Sequence, residues 1–420
     1  MAISTTTPLA ENHPAQNKVS YPHLIPAAVV LLILVGAVIL FDHDASSLED
    51  QYVHAFAPLL LPQSVAGTVI QLAAFHQADL LPVYGSSEML NEVTPYRAYN
   101  FFATYPTGFD VFDIAKSADT SLDIAQDLAA IGPELRGKKV IISFTPTMFN
   151  AAEVGKDAYA GNYSRMHANA LAFSLDLNMT LKQRIAERML DYPDTLTNDP
   201  LLMFALQNLA ANTFPSQIIY YLTLPLGQLN TLIIRLQDHY EVWSYLQDHP
   251  KLTPAVKRQP QKIDWGAQTA AAEVQQKANA NNNPYGIQND TWIQKYNQVF
   301  KVNKSASGDQ HYITNMEASK EWGDLGLVLE ILSQLGAKPL IMSRPINGTL
   351  FTASGISPQA QQVYYDKLQA LVNGYHMSLV DFHQYTNDRY FSIDQGSHTS
   401  RKGWVIVDHA LDTFYHADIH

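Results

Sequence analysis

The sequence predicts an α/β fold, a parallel sheet covered by helices on both faces, with a helical insertion and one transmembrane helix at the amino-terminal end. Three observations carry this reading. Short apolar runs alternate with helical stretches of ten or more residues, the pattern of parallel strands joined by crossover helices. From about residue 165 to 250 the alternation stops and only helical patterns continue. Residues 24–41 read LIPAAVVLLILVGAVILF, without a single charge.

The apolar run comes first. At 1.5 Å rise per residue it reaches about 27 Å, enough to cross one bilayer core. Pro26 falls in the first turn, where a missing N–H does no harm. Lys18 precedes the run, and Asp42, Asp44, Glu49 and Asp50 follow it. The positive-inside rule then assigns residues 1–23 to the cytoplasm, 24–41 to the membrane and 42–420 to the outside. A cleaved signal peptide would have a shorter apolar core and a small-x-small site close behind it. Here the run ends FDHDASS, so an uncleaved anchor is expected.

Beyond the anchor, residues 51–79 are helical in pattern, broken at Pro58 and Pro62. Leu80 to Tyr84 is the first strand and ends at Gly85. Lys139 to Thr145 is the second. Lys338 to Ser343 is the third, after a helix over Leu325 to Leu335. Met377 to Asp381 is the fourth, after a helix over Gln359 to Val372, and Gly403 to Phe414 closes the chain as a helix. The insertion holds helices over Leu181 to Leu190 and Ser216 to Tyr240. Within the latter, Ile218 to Leu236 is strongly apolar but carries Pro225, Gly227, Gln228, Asn230 and Thr231. Three readings stay open for it: a core helix, a helix leaning on the bilayer or a membrane partner, and a second span.

Composition narrows the function. The 420 residues are 47% hydrophobic and 16% charged, which excludes a disordered or coiled-coil chain. The net charge of −12 speaks against nucleic acid, whose phosphates require clustered Lys and Arg. With no cysteine, disulfide scaffolds, thiolate catalysis, zinc-thiolate sites and iron–sulfur clusters are excluded. No glycine-rich phosphate loop is present and no cofactor is expected.

Two segments can carry chemistry. Gly85-Ser86-Ser87-Glu88 follows the first strand, and sites in open α/β sheets lie beyond the carboxyl ends of strands. A serine there is next to free backbone N–H groups able to hold an oxyanion; it also reads as a simple helix cap. Near the carboxyl end, Asp394-Gln395-Gly396-Ser397-His398 offers the base a seryl nucleophile needs and the carboxylate that orients it. Asp381 and His383 form an alternative pair. His416 and His420 have helical metal-ligand spacing but fall on the terminus, and Arg184 and Arg188 lie one turn apart, as a phosphate site or a solvated face.

These segments, with Lys402-Gly403-Trp404 downstream, resemble the DltD family, the membrane-anchored teichoic acid D-alanylation proteins of Gram-positive bacteria. Other blocks follow in the same order. Gly137-Lys138-Lys139 leads into Thr145-Pro146-Thr147-Met148-Phe149, similar to a Ser-Pro-Gln-Trp-Phe block, and Tyr285-Gly286-Ile287 with Trp292 and Pro345-Ile346-Asn347-Gly348 resemble two more. The resemblance implies an SGNH-hydrolase-like three-layer α/β/α sandwich. It implies Ser87 as nucleophile, with Gly85 and Ser86 beside it, His398 as base and Asp394 as the acid, four rather than three positions before the histidine. Thr147 stands where the family has glutamine. Ala115 to Asp119 stands where it has a glycine-rich block, so the oxyanion contacts differ. The implied function is serine acyl transfer forming D-alanyl esters on lipoteichoic acid at the outer face of the cell membrane. The implied partners are an MBOAT-type membrane acyltransferase and the D-alanyl carrier protein. An esterase or thioesterase using water, or a non-catalytic scaffold binding lipoteichoic acid and the acyltransferase, fits the same residues.

Overall fold

The computed structural model describes residues 24–90, 95–152, 155–254, 258–296, 308–396 and 398–418. The chain divides into two units, Met1–Asp44 and Ala45–His420. The described part of the first is helical and is the start of the helix Leu24–Phe56. Its apolar side chains from Val29 to Phe41 are largely exposed, and this is the one helix among the described residues long and apolar enough to cross a membrane. The helix runs on past the acids at Asp42 and Asp44, since nothing in the following Ala-Ser-Ser-Leu-Glu stretch breaks it.

The second unit is built on five parallel strands: β1 Leu80–Gly85, β2 Asp110–Ala115, β3 Lys139–Phe144, β4 Lys338–Ser343 and β5 Ser378–Val380. Their order is β2-β1-β3-β4-β5, a doubly wound sheet whose direction of winding reverses at β1 and β3. Four of the five answer to the strands read from the sequence. β2 was not anticipated, because Asp110 and Asp113 interrupt its apolar pattern.

Side chains alternate between the two faces, as the two-residue repeat of a strand requires. Leu80, Tyr84, Phe112, Ile114, Val140, Ile142, Phe144 and Ile341 enter one core, with the helices Val69–His76, Ser121–Ile131, Glu321–Leu335 and Pro358–Gly374. Leu81, Val83, Val111, Ile141, Leu340 and Met342 enter the other, under Ala98–Thr104 and Arg401–His416. Both faces are therefore dry, which explains why the strands read as nearly continuous apolar runs. The result is the three-layer α/β/α arrangement.

Between β3 and β4 the described residues form helices and turns only. The longest helix, Phe214–Asp248, packs on Pro200–Ala211 and Arg165–Ala172, and its Asp238 carboxylate accepts the N–H groups of Thr68 and Val69 at 2.7 and 2.9 Å. At Gly227 the approach is close: a Cβ there would stand 2.1 Å from the ring of buried Phe173. Helix propensity alone would favour alanine there by about 1 kcal/mol. Displacing a buried ring costs about 1–3 kcal/mol, so Gly227→Ala is expected to lower stability in urea unfolding; a stabilised variant would mean that this contact is absent.

Candidate active site

β1 ends at Gly85, and Ser87–Met89 turns at once into a single 3-10 turn. The glycine is required by space: a Cβ there would lie 2.7 Å from the Glu88 carboxylate and 2.7 Å from Met89 Cγ. The Ser86 N–H donates to Glu88 Oε1 at 3.0 Å, while Ser86 Oγ accepts the Asp119 N–H at 3.0 Å. Ser86 is buried and its hydroxyl is held; Ser87 is the half-exposed serine of the two.

Asp119 closes the loop after β2. Ala118 has φ +56°, in the left-handed region that glycine enters most readily. The backbone keeps a glycine-like turn without the glycine. Beneath it Lys116 reaches Asp127 at 3.3 Å and Asp119 at 3.7 Å, and His167 Nδ1 lies 2.5 Å from Asp127.

The histidine lies on the loop before the last helix. His398 Nδ1 stands 2.6 Å from Asp394 Oδ2, and Asp394 Oδ1 accepts the N–H groups of Gly396 at 2.9 Å and His398 at 3.0 Å. An ionised carboxylate only accepts, so Nδ1 carries the proton and Nε2 is the basic nitrogen. Burial pushes the Asp394 carboxyl up, but its bond to His398, the charge of that ring and the N–H groups of His398 and Gly396 together outweigh this and hold it below the ordinary range. The same bond pulls the imidazole above its ordinary value against partial burial, and the charge of Glu88, the neighbour of Ser87, adds to that pull. Among the described residues no hydrogen bond joins His398 to Ser86 or Ser87.

The sequence blocks converge on this loop. Asn347 donates from its side chain to Tyr285 O at 3.2 Å and Asp394 O at 3.1 Å, and its N–H reaches Gln395 O at 3.0 Å. The Gln288 N–H donates to Ile393 O at 3.1 Å. Ser400 caps the last helix by accepting the Gly403 N–H at 3.0 Å, and Lys402 is ion-paired to Asp388 at 2.6 Å and Glu273 at 2.9 Å. Thr147 sits in the turn Pro146–Met148 after β3, its hydroxyl 2.9 Å from that of Thr145.

One group escaped the sequence reading. Arg344 follows β4 and is fully buried, its guanidinium 5.0 Å from the Trp404 ring and its Nη atoms 3.5 Å from the sulfurs of Met342 and Met89. The buried acids Glu88, Asp113 and Asp408 act on it electrostatically. Burial lowers Arg344 to about 10, raises Asp113 to about 6, and raises Glu88 and Asp408 as well. Their side chains are far apart in sequence, so no short motif announces them.

The remaining candidates are occupied elsewhere or exposed. Arg184 is bonded to Glu330, and Arg188 to Asp324 and Asp191. His383 stands 3.3 Å from Asp381 with about half its side chain in solvent. His416 meets the carbonyls of Asp412 and Thr107, and His420 lies outside the described residues.

Fold and site define a doubly wound α/β protein with a Gly-Ser-Ser turn at one strand end and a carboxylate–histidine pair on the loop before its last helix. The family model described as DltD protein matches residues 57–416, and the chain belongs to the DltD family. Protein DltD of Bacillus subtilis (strain 168) is 25% identical over 398 residues, covering 93% of this chain and 96% of that protein. Protein DltD of Staphylococcus aureus (strain NCTC 8325 / PS 47) is 25% identical over 357 residues, covering 84% and 85%. Membership supports the role that the resemblance implied, in teichoic acid D-alanylation.

Two outcomes test the electrostatics. If His398 is the base, kcat/KM rises as the imidazole loses its proton, with a midpoint above the ordinary 6.5. Asp394→Asn removes the largest cause of the upward shift and moves that limb to lower pH. The contribution of His398 to stability runs the other way: it is complete below the unfolded value of 6.5 and is lost as pH rises through the folded value, while that of Asp394 is lost in acid as the carboxylate is protonated. Arg344→Met strands the buried acids and is expected to cost about 3–5 kcal/mol in urea unfolding near pH 8, and less near pH 5, below the Asp113 value of about 6.

Proposed function

We propose that this chain is a membrane-anchored serine acyl-transfer enzyme acting outside the cell in the D-alanylation of lipoteichoic acid. The observation that carries the reading is the Asp394–His398 pair, oriented by two backbone N–H groups and under the field of Glu88 beside Ser87. Family membership supports the pathway. The exposed apolar run before residue 42 supports the anchor, and the acids after it support an outward-facing domain.

In the proposed reaction Ser87 Oγ attacks the carbonyl of a D-alanyl ester or thioester as His398 Nε2 takes its proton. Asp394 keeps the ring in the tautomer that leaves Nε2 free and stabilises the imidazolium. Backbone N–H groups at Ser87 and near Thr147 receive the oxyanion. The imidazolium returns its proton to the leaving group, and an acyl-Ser87 ester remains. A glycerol hydroxyl of lipoteichoic acid then gives its proton to His398 and attacks that ester; the imidazolium returns the proton to Ser87 Oγ as it leaves, and the D-alanyl ester is formed. A seryl–histidine contact that is absent in the free protein can tighten with substrate bound. The donor would arrive through an MBOAT-type acyltransferase and the D-alanyl carrier protein.

A serine-reactive fluorophosphonate is expected to label Ser87, identified by mass spectrometry of the labelled peptide. Ser87→Ala and His398→Ala are each expected to lower acyl transfer by at least ~10³-fold with the fold intact. Label on Ser86 would move the nucleophile by one residue. No label, with D-alanylation in cells intact in His398→Ala, would leave a non-catalytic scaffold; a labelled enzyme that transfers only to water would be an esterase.

A further inference from the structure

The helix Phe214–Asp248 has two halves of different character. From Phe214 to Ile234 it carries no charged residue. One side of this half is buried through Tyr220, Gly227 and Ile234. The other side is open and apolar, with Phe214 77%, Leu222 76% and Leu226 57% exposed; of the exposed positions between 214 and 233 only Gln228 is polar. The strip is about 30 Å long, larger than the scattered apolar groups of an ordinary surface. The second half is tied to the domain by charge: Asp238 binds Thr68 and Val69, and His239 Nδ1 lies 2.7 Å from Glu49. Tyr240 and Trp243 are exposed just beyond the uncharged half, the residue types that settle at a membrane–water boundary.

We propose that this strip lies on the lipid bilayer, its apolar side chains entering the acyl region of the membrane that the anchor crosses. This rests on the anchor reading above. The anchor brings the chain to an apolar phase, the bilayer core. Phe41 ends the uncharged run, and eight residues later Glu49 is bound to this helix. Eight residues span at most about 28 Å in any conformation, so the His239 end of the helix stays within that distance of the end of the uncharged run. A tether of that length makes contact intramolecular, and even a weakly favourable face stays engaged. The helix lies on the membrane and does not cross it, because its opposite side is packed on the domain.

The chain has no cysteine, so single-cysteine variants report single positions. Full-length chain carrying a nitroxide at Leu222→Cys or Leu226→Cys would be reconstituted in phosphatidylcholine–phosphatidylglycerol vesicles and its collisions with oxygen and an aqueous nickel chelate measured. Ile33→Cys reports the anchor, and Val274→Cys, on the helix Trp265–Asn279, reports an exposed apolar position outside the strip. The expected result is oxygen-rich, nickel-poor behaviour at Leu222 and Leu226, at about 5–10 Å depth, with Val274 aqueous. If Ile33 is in lipid while Leu222 and Leu226 match Val274, the proposal is overturned and the anchor stands. If Ile33 is itself aqueous, the anchor reading fails and the proposal with it. Labels that are aqueous in vesicles but shielded in native membranes would assign the strip to a protein partner and equally overturn the bilayer contact.

Discussion

The buried Arg344 guanidinium is the interaction on which the candidate site depends. It follows β4 and stacks near Trp404 of the last helix, within electrostatic reach of Glu88 after β1, Asp113 of β2 and Asp408 of the last helix. These elements present Ser87 on one side and lead into His398 on the other. Carboxylates taken out of water without a cation cost several kcal/mol each. One cation shared among three acids therefore makes the placement of the turn, the edge strand β2 and the last helix conditional on one another. Arg97, 3.7 Å from Asp113, adds a second positive charge on the same face.

Around this centre the backbone does most of the positioning. Asn347 binds both the Asp394 loop and the Tyr285 carbonyl, so two blocks far apart in sequence are reduced to supports for one carboxylate. Ser86 is spent on structure, its hydroxyl taken by the Asp119 N–H, and this leaves its neighbour as the accessible serine. The spacing of four between Asp394 and His398 is accommodated within the loop, whose N–H groups at Gly396 and His398 both turn back to the same carboxylate oxygen.

Legibility in the sequence followed the range of the interaction. Strands whose apolar runs are unbroken were readable, as was a carboxylate four residues from its histidine. β2 was not, because Asp113 looks like an exposed residue until Arg97 and Arg344 are brought to it by the fold. Arg184 and Arg188 show the same limit. One turn apart they resemble a phosphate site or a solvated face, yet Glu330 and Asp324, more than a hundred residues away, are their partners. Ala118 shows another limit: its left-handed backbone is invisible in a residue type that rarely adopts it. The helix through Phe214 was readable as apolar, but which side faced the domain depended on Phe173 and Asp238.

The pairing of β3 with β4 joins Lys139 to Lys338, across roughly 200 residues of intervening helices. Closing so long a loop is an entropic burden that precedes any reward from the sheet, and parallel sheets of such high contact order assemble slowly. As the chain emerges in order, β1, β2 and β3 can pair early, but the face waiting for β4 stays an open edge until the helices between them have collapsed. For that interval an apolar strand edge is available to other chains. The helical insertion is thus more than an ornament on the sheet: the speed with which it compacts sets how long a nascent molecule remains vulnerable to aggregation.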